Sequence, residues 1–362
     1  MTNASDRALT NWLLTVCALI VVMVVFGGYV RLTRSGLSIV EWNPVTGVVP
    51  PVGEQAWQAE FAKYQQSPEY QKINRHFTLA DYKRIFWVEY IHRLIARIAG
   101  LIVVIPLFIY VLRGRIPWKK SGMYWLIAAL FGFQGFLGWY MVSSGLEDRP
   151  AVSHFRLTIH LLTALFLLAL TLWMALNRIY KHTEPAAHGR SSSAYGWMWV
   201  LMVTLVVQIA YGGLVAGLKA GYVSNTWPLM FGSLIPPGLL TSVQPWWRNL
   251  FEAATTVHFM HRWFAFVVLV AVALVWAQTR AVTAGDVRRG VALLLGLVCL
   301  QILLGISVVW FGVPLWLALL HQANALFLFI DAVYLLHRLR IGNIEQTPSP
   351  SVQRDAGAPS RA

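Results

Sequence analysis

The sequence predicts an all-α integral membrane protein with eight transmembrane helices, arranged as two four-helix bundles that repeat one another in parallel. Three observations predict this fold: the composition, the spacing of the apolar runs and an internal repeat. Of the 362 residues, 57% are hydrophobic and only 12% are charged, and the mean hydropathy is +0.57. The average residue is therefore more apolar than the core of a soluble domain can use.

Apolar runs near the length that crosses a bilayer as a helix, about 20 residues, recur along the chain. We expect spans at about 11–30, 88–112, 122–142, 157–176, 197–217, 257–279, 290–311 and 316–337. No small-residue cleavage site follows the first run, so it is expected to be a retained helix. The two cysteines, Cys17 and Cys299, fall inside spans, which leaves no pair for a loop disulfide.

Basic residues are concentrated in alternate short connections. They lie in 113–121, 177–196 and 280–289, and again after the last span at Arg338 and Arg340. The positive-inside rule places these segments, and both termini, in the cytoplasm. Because the net charge of +14 is spread over these loops rather than along one stripe, it predicts membrane lipids and not nucleic acid as the partner.

Four segments recur in the same order, which divides the chain into two halves. The matches are "GGYVRLTRSGLSIVEWNP" (27–44) with "GGLVAGLKAGYVSNTWP" (212–228), "EYIHRLIAR" (89–97) with "HFMHRWFAF" (258–266), "QGFLG" (134–138) with "QILLG" (301–305), and "HLLTALFLL" (160–168) with "HQANALFLF" (321–329). Each half has an even number of spans, so both enter the membrane in the same orientation. The predicted divisions are a cytoplasmic N-terminus (1–10), a first half (11–176), a cytoplasmic linker (177–196), a second half (197–337) and a disordered cytoplasmic tail (338–362).

Histidines occupy matched positions near the predicted outer face in both halves: His92 and His160 in the first, His261 and His321 in the second. A pair of imidazoles at one depth can clamp a haem iron from both sides. A lone intramembrane histidine more often hydrogen-bonds to a neighbouring helix, but a matched pair of pairs favours ligation. Zinc is less suitable because neither half supplies a third clear ligand. The single histidines in loops or at a helix end are expected to be solvated: His76, His154, His182, His188 and His337.

An arginine directly follows one histidine of each half, Arg93 after His92 and Arg262 after His261. Arginine forms bidentate pairs with carboxylates, so these two are candidates for binding haem propionates. The alternative is that they extend to lipid headgroups. Arg31 is a weaker candidate because its repeat partner is Ala216.

The halves differ one helical turn before the first histidine, where Glu89 stands in one and His258 in the other. A carboxylate beside a haem can accept protons or stabilise positive charge on a substrate. Glu89 is therefore the candidate catalytic residue, and the first half the candidate reaction site. The alternative is an ion pair with Arg93 at i+4 that only fixes the helix.

The ordered set "RLTRSGLSIVEWNPVTGVVPP", "EYIHRLIAR", "AGLKAGYVSNTWPLM" and "FMHRWFAF" resembles the haem A synthase family, of the bacterial and mitochondrial type without paired loop cysteines. The resemblance covers about residues 11–338. It implies an eight-helix oxidoreductase of the bacterial inner membrane that oxidises the C8 methyl of haem O to a formyl group, giving haem A for cytochrome oxidase assembly.

The resemblance also implies a role for each histidine pair. His261 and His321 would hold the iron of a haem b cofactor, while His92 and His160 would flank the iron of the substrate haem, with Glu89 assisting. The expected partners are a haem O synthase that delivers haem O, an electron acceptor of unknown identity and further copies of the same chain in a homo-oligomer. His258 stands where the resemblance predicts a nonbasic polar residue, so its role does not follow from the resemblance.

Two other functions use some of the same features. A dihaem b-type electron-transfer cytochrome would need the four histidines but not Glu89. A transporter built from parallel repeats would leave the histidine pairs unused, and the purified protein would be colourless. The pigment bound by the protein separates the three.

Overall fold

The computed structural model describes residues 4–181, 191–280 and 284–344. Within these ranges the chain forms α-helices and short 3-10 turns, and its one β-type contact is an isolated bridge between Met230 and Ser233. The α-helices there are α1 (Ala4–Leu32), α2 (Glu54–Gln65), α3 (Pro68–Lys72), α4 (Leu79–Leu112), α5 (Gly122–Leu146), α6 (His154–Ile179), α7 (Ser191–Gly217), α8 (Asn249–Glu252), α9 (Ala254–Thr279), α10 (Gly285–Trp310) and α11 (Leu315–Ile344).

Eight of these helices are long and apolar enough to cross a membrane: α1, α4, α5, α6, α7, α9, α10 and α11. The prediction of an all-α chain with eight candidate spans is confirmed for the described residues, and each helix overlaps its predicted span. The largest shift is in α4, which begins at Leu79 rather than near residue 88. Thr78 and Asp81 form a reciprocal capping box there, and this motif fixes a helix start that hydropathy alone misses.

The predicted tail begins too early. Helix α11 continues to Ile344, so residues 338–344 are helical rather than disordered. Arg338 is only 3% exposed because its Nε donates to Asp286 Oδ2 at 2.7 Å. The rest of the predicted tail (345–362), residues 1–3 of the N-terminus and residues 182–190 of the linker lie outside the described residues.

The transmembrane helices contact one another in two sets. In one set α1 packs against α4 and α6, and α5 packs against α4 and α6; in the other, α7 packs against α9 and α11, and α10 packs against α9 and α11. The sets meet where α6 contacts α7 and α11 and where α1 contacts α11. These matched neighbours support two four-helix halves, and the parallel-repeat relation between them stays a prediction.

The segment between α1 and α4 folds against the N-terminal turns of α4. Helices α2 and α3 form a small aromatic core with α4, made by Trp57, Phe61, Tyr64, Tyr82, Phe86 and Tyr90. Its rings stack and meet edge-on at centroid distances of 4.9–6.5 Å. This core holds the residues that follow α1 close to the N-terminal half of α4, where His92 lies.

His337 was expected to be solvated, and that expectation is wrong. Its side chain is buried, with 1% exposure. The Nε2 atom lies 2.9 Å from Asn177 Oδ1, and the ring packs edge-on against Trp173. The misreading arose because one helix end was judged in isolation, whereas α6 and α11 bury their ends against each other.

Candidate functional site

The second-half histidines face each other across their bundle. His261 on α9 and His321 on α11 have ring centroids 6.3 Å apart, with an interplanar angle of 81°. When imidazole nitrogens bind one metal ion from opposite sides, each lies about 2 Å from it, so the ring centres are separated by roughly 6 Å. The observed spacing therefore fits two axial ligands of a single iron.

A glycine on the adjacent helix makes room for each of the four rings. A Cβ atom at Gly212 would lie 3.3 Å from His261 Cε1, and one at Gly305 would lie 3.1 Å from His321 Cε1. The first half has the same arrangement. A Cβ atom added at Gly27 would lie 3.3 Å from His92 Nε2, and one added at Gly138 would lie 3.6 Å from His160 Cε1. At Gly27, Gly212 and Gly305 an added Cβ would crowd the imidazole, so the ring would have to shift, whereas at Gly138 it would make ordinary van der Waals contact. The sequence gives no separate signal for these contacts between glycine and histidine.

Glutamine side chains hold the backbone at three of the histidines. Gln134 Nε2 donates to the His160 carbonyl oxygen at 3.2 Å, Gln301 Nε2 to that of His321 at 3.1 Å, and Gln208 Nε2 to that of His261 at 2.9 Å. Gln301 Nε2 also lies 3.2 Å from both ring nitrogens of His321. The sequence analysis did not single out these residues, although Gln134 and Gln301 begin the matched "QGFLG" and "QILLG" segments.

The first-half histidines are also neighbours. His92 and His160 lie close enough to interact electrostatically, and the His92 ring packs at 5.7 Å from Phe26. The Nδ1 atoms of His160 and His261 are buried without a hydrogen-bond partner. Among the described residues no group of three or more His, Cys, Asp or Glu side chains converges. Each half thus offers two imidazoles, a donor set that suits a haem, whose porphyrin supplies the in-plane nitrogens.

Glu89 is buried and its carboxylate has partners on both oxygens. Oε1 accepts from Arg93 Nε at 3.0 Å and Nη2 at 2.6 Å, while Oε2 accepts from Ser38 Oγ at 2.7 Å and from the Ile39 backbone N–H at 2.9 Å. The i+4 ion pair that the sequence left open is therefore present. A catalytic role for Glu89 stays a prediction, and any proton it takes must compete with these four bonds.

Arg93 and Arg262 hold equivalent loops in the two halves. Arg93 donates to the carbonyl oxygens of Ile39 at 3.0 Å and Glu41 at 3.2 Å. Arg262 donates to those of Ser224 at 2.8 Å and Thr226 at 2.7 Å. The four carbonyls occupy matched places in the repeat, counted back from Trp42 and Trp227. Both guanidinium groups are thus turned towards loop backbone, and propionate binding by them stays a prediction.

His258 takes the place of Glu89 in this arrangement. Its Nε2 atom accepts a hydrogen bond from Arg262 Nε at 3.0 Å, and its side chain is 2% exposed. Its position in the repeat, four residues before Arg262, matches that of Glu89 before Arg93. The histidine that departs from the expected pattern therefore orients the arginine of the second loop.

Arg31 joins the two halves, because its Nη1 donates to the carbonyl oxygen of Ala216 at 3.3 Å.

Glu69 lies near the junction of the two halves and was missed by the sequence analysis. It is 3% exposed, and its Oε2 has no hydrogen-bond partner. Burial, and then the charge of Glu89, raise its pKa to about 7, while Arg34 and Lys219 act in the opposite direction. A glutamate in the first turn of α3, after Ser67 and Pro68, looks like an ordinary helix start, so no local signal marks its burial.

Comparison with known proteins places this geometry in a family context. The family model described as cytochrome oxidase assembly protein (COX15-CtaA) matches residues 10–333. A relative named Heme A synthase from Nitrosospira multiformis is 42% identical over 342 residues, covering 93% of this chain and 95% of the relative. Relatives of the same name from Paramagnetospirillum magneticum and Brucella ovis are 41% and 43% identical, over 94% and 91% of this chain and 96% and 92% of their own lengths.

Proposed function

This chain belongs to the cytochrome oxidase assembly protein family, and from that premise we propose that it is a haem A synthase. It is a membrane oxidoreductase whose substrate is haem O and whose product is haem A, formed by oxidation of the C8 methyl to a formyl group. The observation that carries the proposal is identity above 40% with haem A synthases over more than nine-tenths of the chain.

The second half holds a haem b cofactor between His261 and His321. The 6.3 Å separation of the rings supports this assignment, as do the glycines behind them and the contacts of Gln301. When bound, haem b supplies one-electron redox chemistry tuned by its axial ligands. The chain's own part is to keep both imidazoles in place and neutral for ligation.

The first half binds the substrate haem between His92 and His160. Oxidation of a methyl group releases protons, and Glu89 is the buried acidic group of α4, one turn before His92. Ser38 Oγ, bonded to Glu89 Oε2, offers the next hydroxyl to which a proton can pass. Arg93 fixes the carboxylate and the Ile39–Glu41 backbone, so the base and the loop beside the substrate are held together.

The protein lies in the bacterial inner membrane with both termini in the cytoplasm and the histidines near the outer leaflet. The distribution of Lys and Arg among the short loops supports this orientation. Single cysteines placed in 113–121, 177–196 and 280–289 should be shielded from an impermeant thiol reagent in intact cells. Labelling of all three from outside would invert the orientation.

Pigment analysis tests the proposed activity. The full-length protein is expressed with and without a haem O synthase, purified, and its non-covalent pigments are extracted and separated. Haem A synthase predicts haem B together with haem O or haem A, and haem A only when haem O is supplied. Two haem B per chain, with no haem O or A under either condition, would instead identify a dihaem electron-transfer cytochrome.

A further inference from the structure

A second candidate site lies at the junction of α6, α10 and α11, away from the histidine pairs. A cavity of about 360 Å³ there is lined by Leu172, Leu293, Leu297, Phe327, Asp331 and Tyr334, among others. Leu293 and Phe327 are about half exposed, so the cavity opens on the surface that faces lipid. Its volume falls within the range of small-molecule sites.

Asp331 is the polar group of this cavity that lacks a partner. Its side chain is 7% exposed, and Oδ2 is buried with no hydrogen-bond partner. It lies inside α11, within the part of that helix that qualifies as a membrane span. A carboxyl group at such a position is costly and marks a functional site by default. A ligand that hydrogen-bonds to it would offset that cost.

Polar side chains continue from the cavity towards the predicted cytoplasmic end of the bundle. Tyr334, one turn beyond Asp331, donates from its hydroxyl to Asp286 Oδ2 at 3.1 Å. The same oxygen accepts from Arg338 Nε, and the Asp286 side chain is 31% exposed. Asp286 lies in the predicted cytoplasmic loop, so a polar route leads from solvent to the ring of Tyr334 at the cavity wall.

We propose that this cavity binds the head group of an isoprenoid quinone, and that the quinone accepts the electrons released by methyl oxidation. A quinone fits because it is dissolved in the bilayer onto which the cavity opens. It needs apolar walls for its ring and one hydrogen-bond donor for a carbonyl oxygen, which the carboxyl group of Asp331 supplies in its protonated form. The inference rests on the proposed function, because it is haem O oxidation that requires an electron acceptor.

The stoichiometry balances with water as the source of the formyl oxygen. Converting a methyl group and one water to a formyl group releases four electrons and four protons. Two quinones take up four electrons and four protons to give two quinols. The substrate protons leave near Glu89, whereas those taken up by the quinone arrive at the cavity along Asp286 and Tyr334.

The position of the cavity connects it to the second half. Asp331 follows His321 by ten residues on α11, which is about 15 Å along a helix axis. The first half also reaches the cavity, because His160 and Leu172 both lie on α6, but they are twelve residues apart, about 18 Å along the helix axis. Electrons are thus expected to reach the quinone from the haem held by His261 and His321.

The test uses purified full-length protein and two probes, an azido-quinone for photolabelling and decyl-ubiquinone as competitor. Wild type should be labelled within residues 327–334, and decyl-ubiquinone should suppress the label. Asp331→Leu should fold, because Asp331 Oδ2 loses no partner, and should bind decyl-ubiquinone about tenfold more weakly. Asp331→Asn keeps a hydrogen-bond donor, so it should bind nearly as well but slow the reoxidation of the reduced b-type band by the quinone.

Two tryptophan variants on α10 test whether the label lies in the cavity, one as the test and the other as its matched control. Leu297→Trp fills the cavity and should abolish labelling, whereas Leu300→Trp, one turn further on and lipid-exposed, should not. Two results would overturn the inference and identify a groove for lipid chains. One is labelling that persists in excess decyl-ubiquinone, and the other is labelling that is the same in wild type and in all four variants.

Haem A formation is measured in the same preparations. Haem A without quinone binding overturns the quinone site and leaves the proposed function intact. Quinone binding without haem A supports the site and removes the proposed activity.

Discussion

The N-terminal halves of α4 and α9 carry the same arginine clamp with different partners. In the first half Arg93 is neutralised by Glu89, whose second oxygen is bonded to the loop that Arg93 also holds. In the second half Arg262 is bonded to His258 and to two carbonyls, and no ion pair of Arg262 occurs among the described residues. The first half therefore has a carboxylate in its clamp, while the second has an arginine whose positive charge no carboxylate balances in the part of the chain that the structure describes.

This contrast teaches that the repeat preserves a scaffold and varies one residue of it. Three features are equivalent in both halves: the loop carbonyls, the glycines behind the histidines, and the stacking of each arginine over a tryptophan, Arg93 over Trp42 and Arg262 over Trp227. A positive charge beside the second pair suits a permanently bound haem with anionic propionates. A carboxylate beside the first pair suits a substrate that must lose protons.

The largest expected effect concerns the histidine pairs themselves. His261→Ala or His321→Ala should abolish the b-type absorption spectrum of the purified protein, because one axial ligand of haem b is lost. His92→Ala should leave that spectrum largely intact. Optical spectra with haem extraction provide the measurement. If His92→Ala removed all haem B, the assignment of one haem to each half would be wrong.

The arginines test the clamp. Arg93→Ala leaves the buried Glu89 carboxylate without its cation and should lower the free energy of unfolding by about 3–5 kcal/mol. Arg262→Ala leaves only a neutral histidine and two carbonyls unpaired, so a loss of about 1–3 kcal/mol is expected. Denaturant unfolding in detergent gives both values. Equal losses would show that the ion pair does not distinguish the halves.

Glu89→Gln tests whether the carboxylate does more than hold the loop. The amide keeps the size of the side chain but cannot act as the base, so haem A formation should fall about a hundredfold or more, with haem B retained. His258→Gln is the matched control, since it keeps an acceptor for Arg262 and should leave haem A formation within a few fold of wild type. Near-normal haem A from Glu89→Gln would reduce Glu89 to a structural residue.

The sequence predicts the number and order of the spans because apolar length is a local property. It also brings out the four histidines, because the repeat aligns them. It misses what depends on packing between distant segments. The start of α4 is set by a capping box beyond the apolar run, and the burial of His337 depends on α6.

The roles of the arginines show the same limit within the candidate site. Each arginine is adjacent to a histidine in sequence, which suggests a shared ligand. Their guanidinium groups instead reach back to loops more than 30 residues earlier. The direction of a side chain depends on which loop folds over its helix, and the 33–78 segment is placed by an aromatic core that no single motif encodes.

The smallest expected effect concerns Glu69, where charges from the two halves meet. Burial raises its pKa from 4.5 to about 7, whereas the unfolded chain keeps the lower value. Between these values the native state binds more protons than the unfolded state, so stability falls as the pH rises through this window and is constant above it. The expected loss between about pH 5 and pH 7 is on the order of 2 kcal/mol. Glu69→Gln cannot ionise, so its unfolding free energy should lack this slope and exceed that of wild type above pH 7. An unchanged slope in Glu69→Gln would assign the pH dependence to another group.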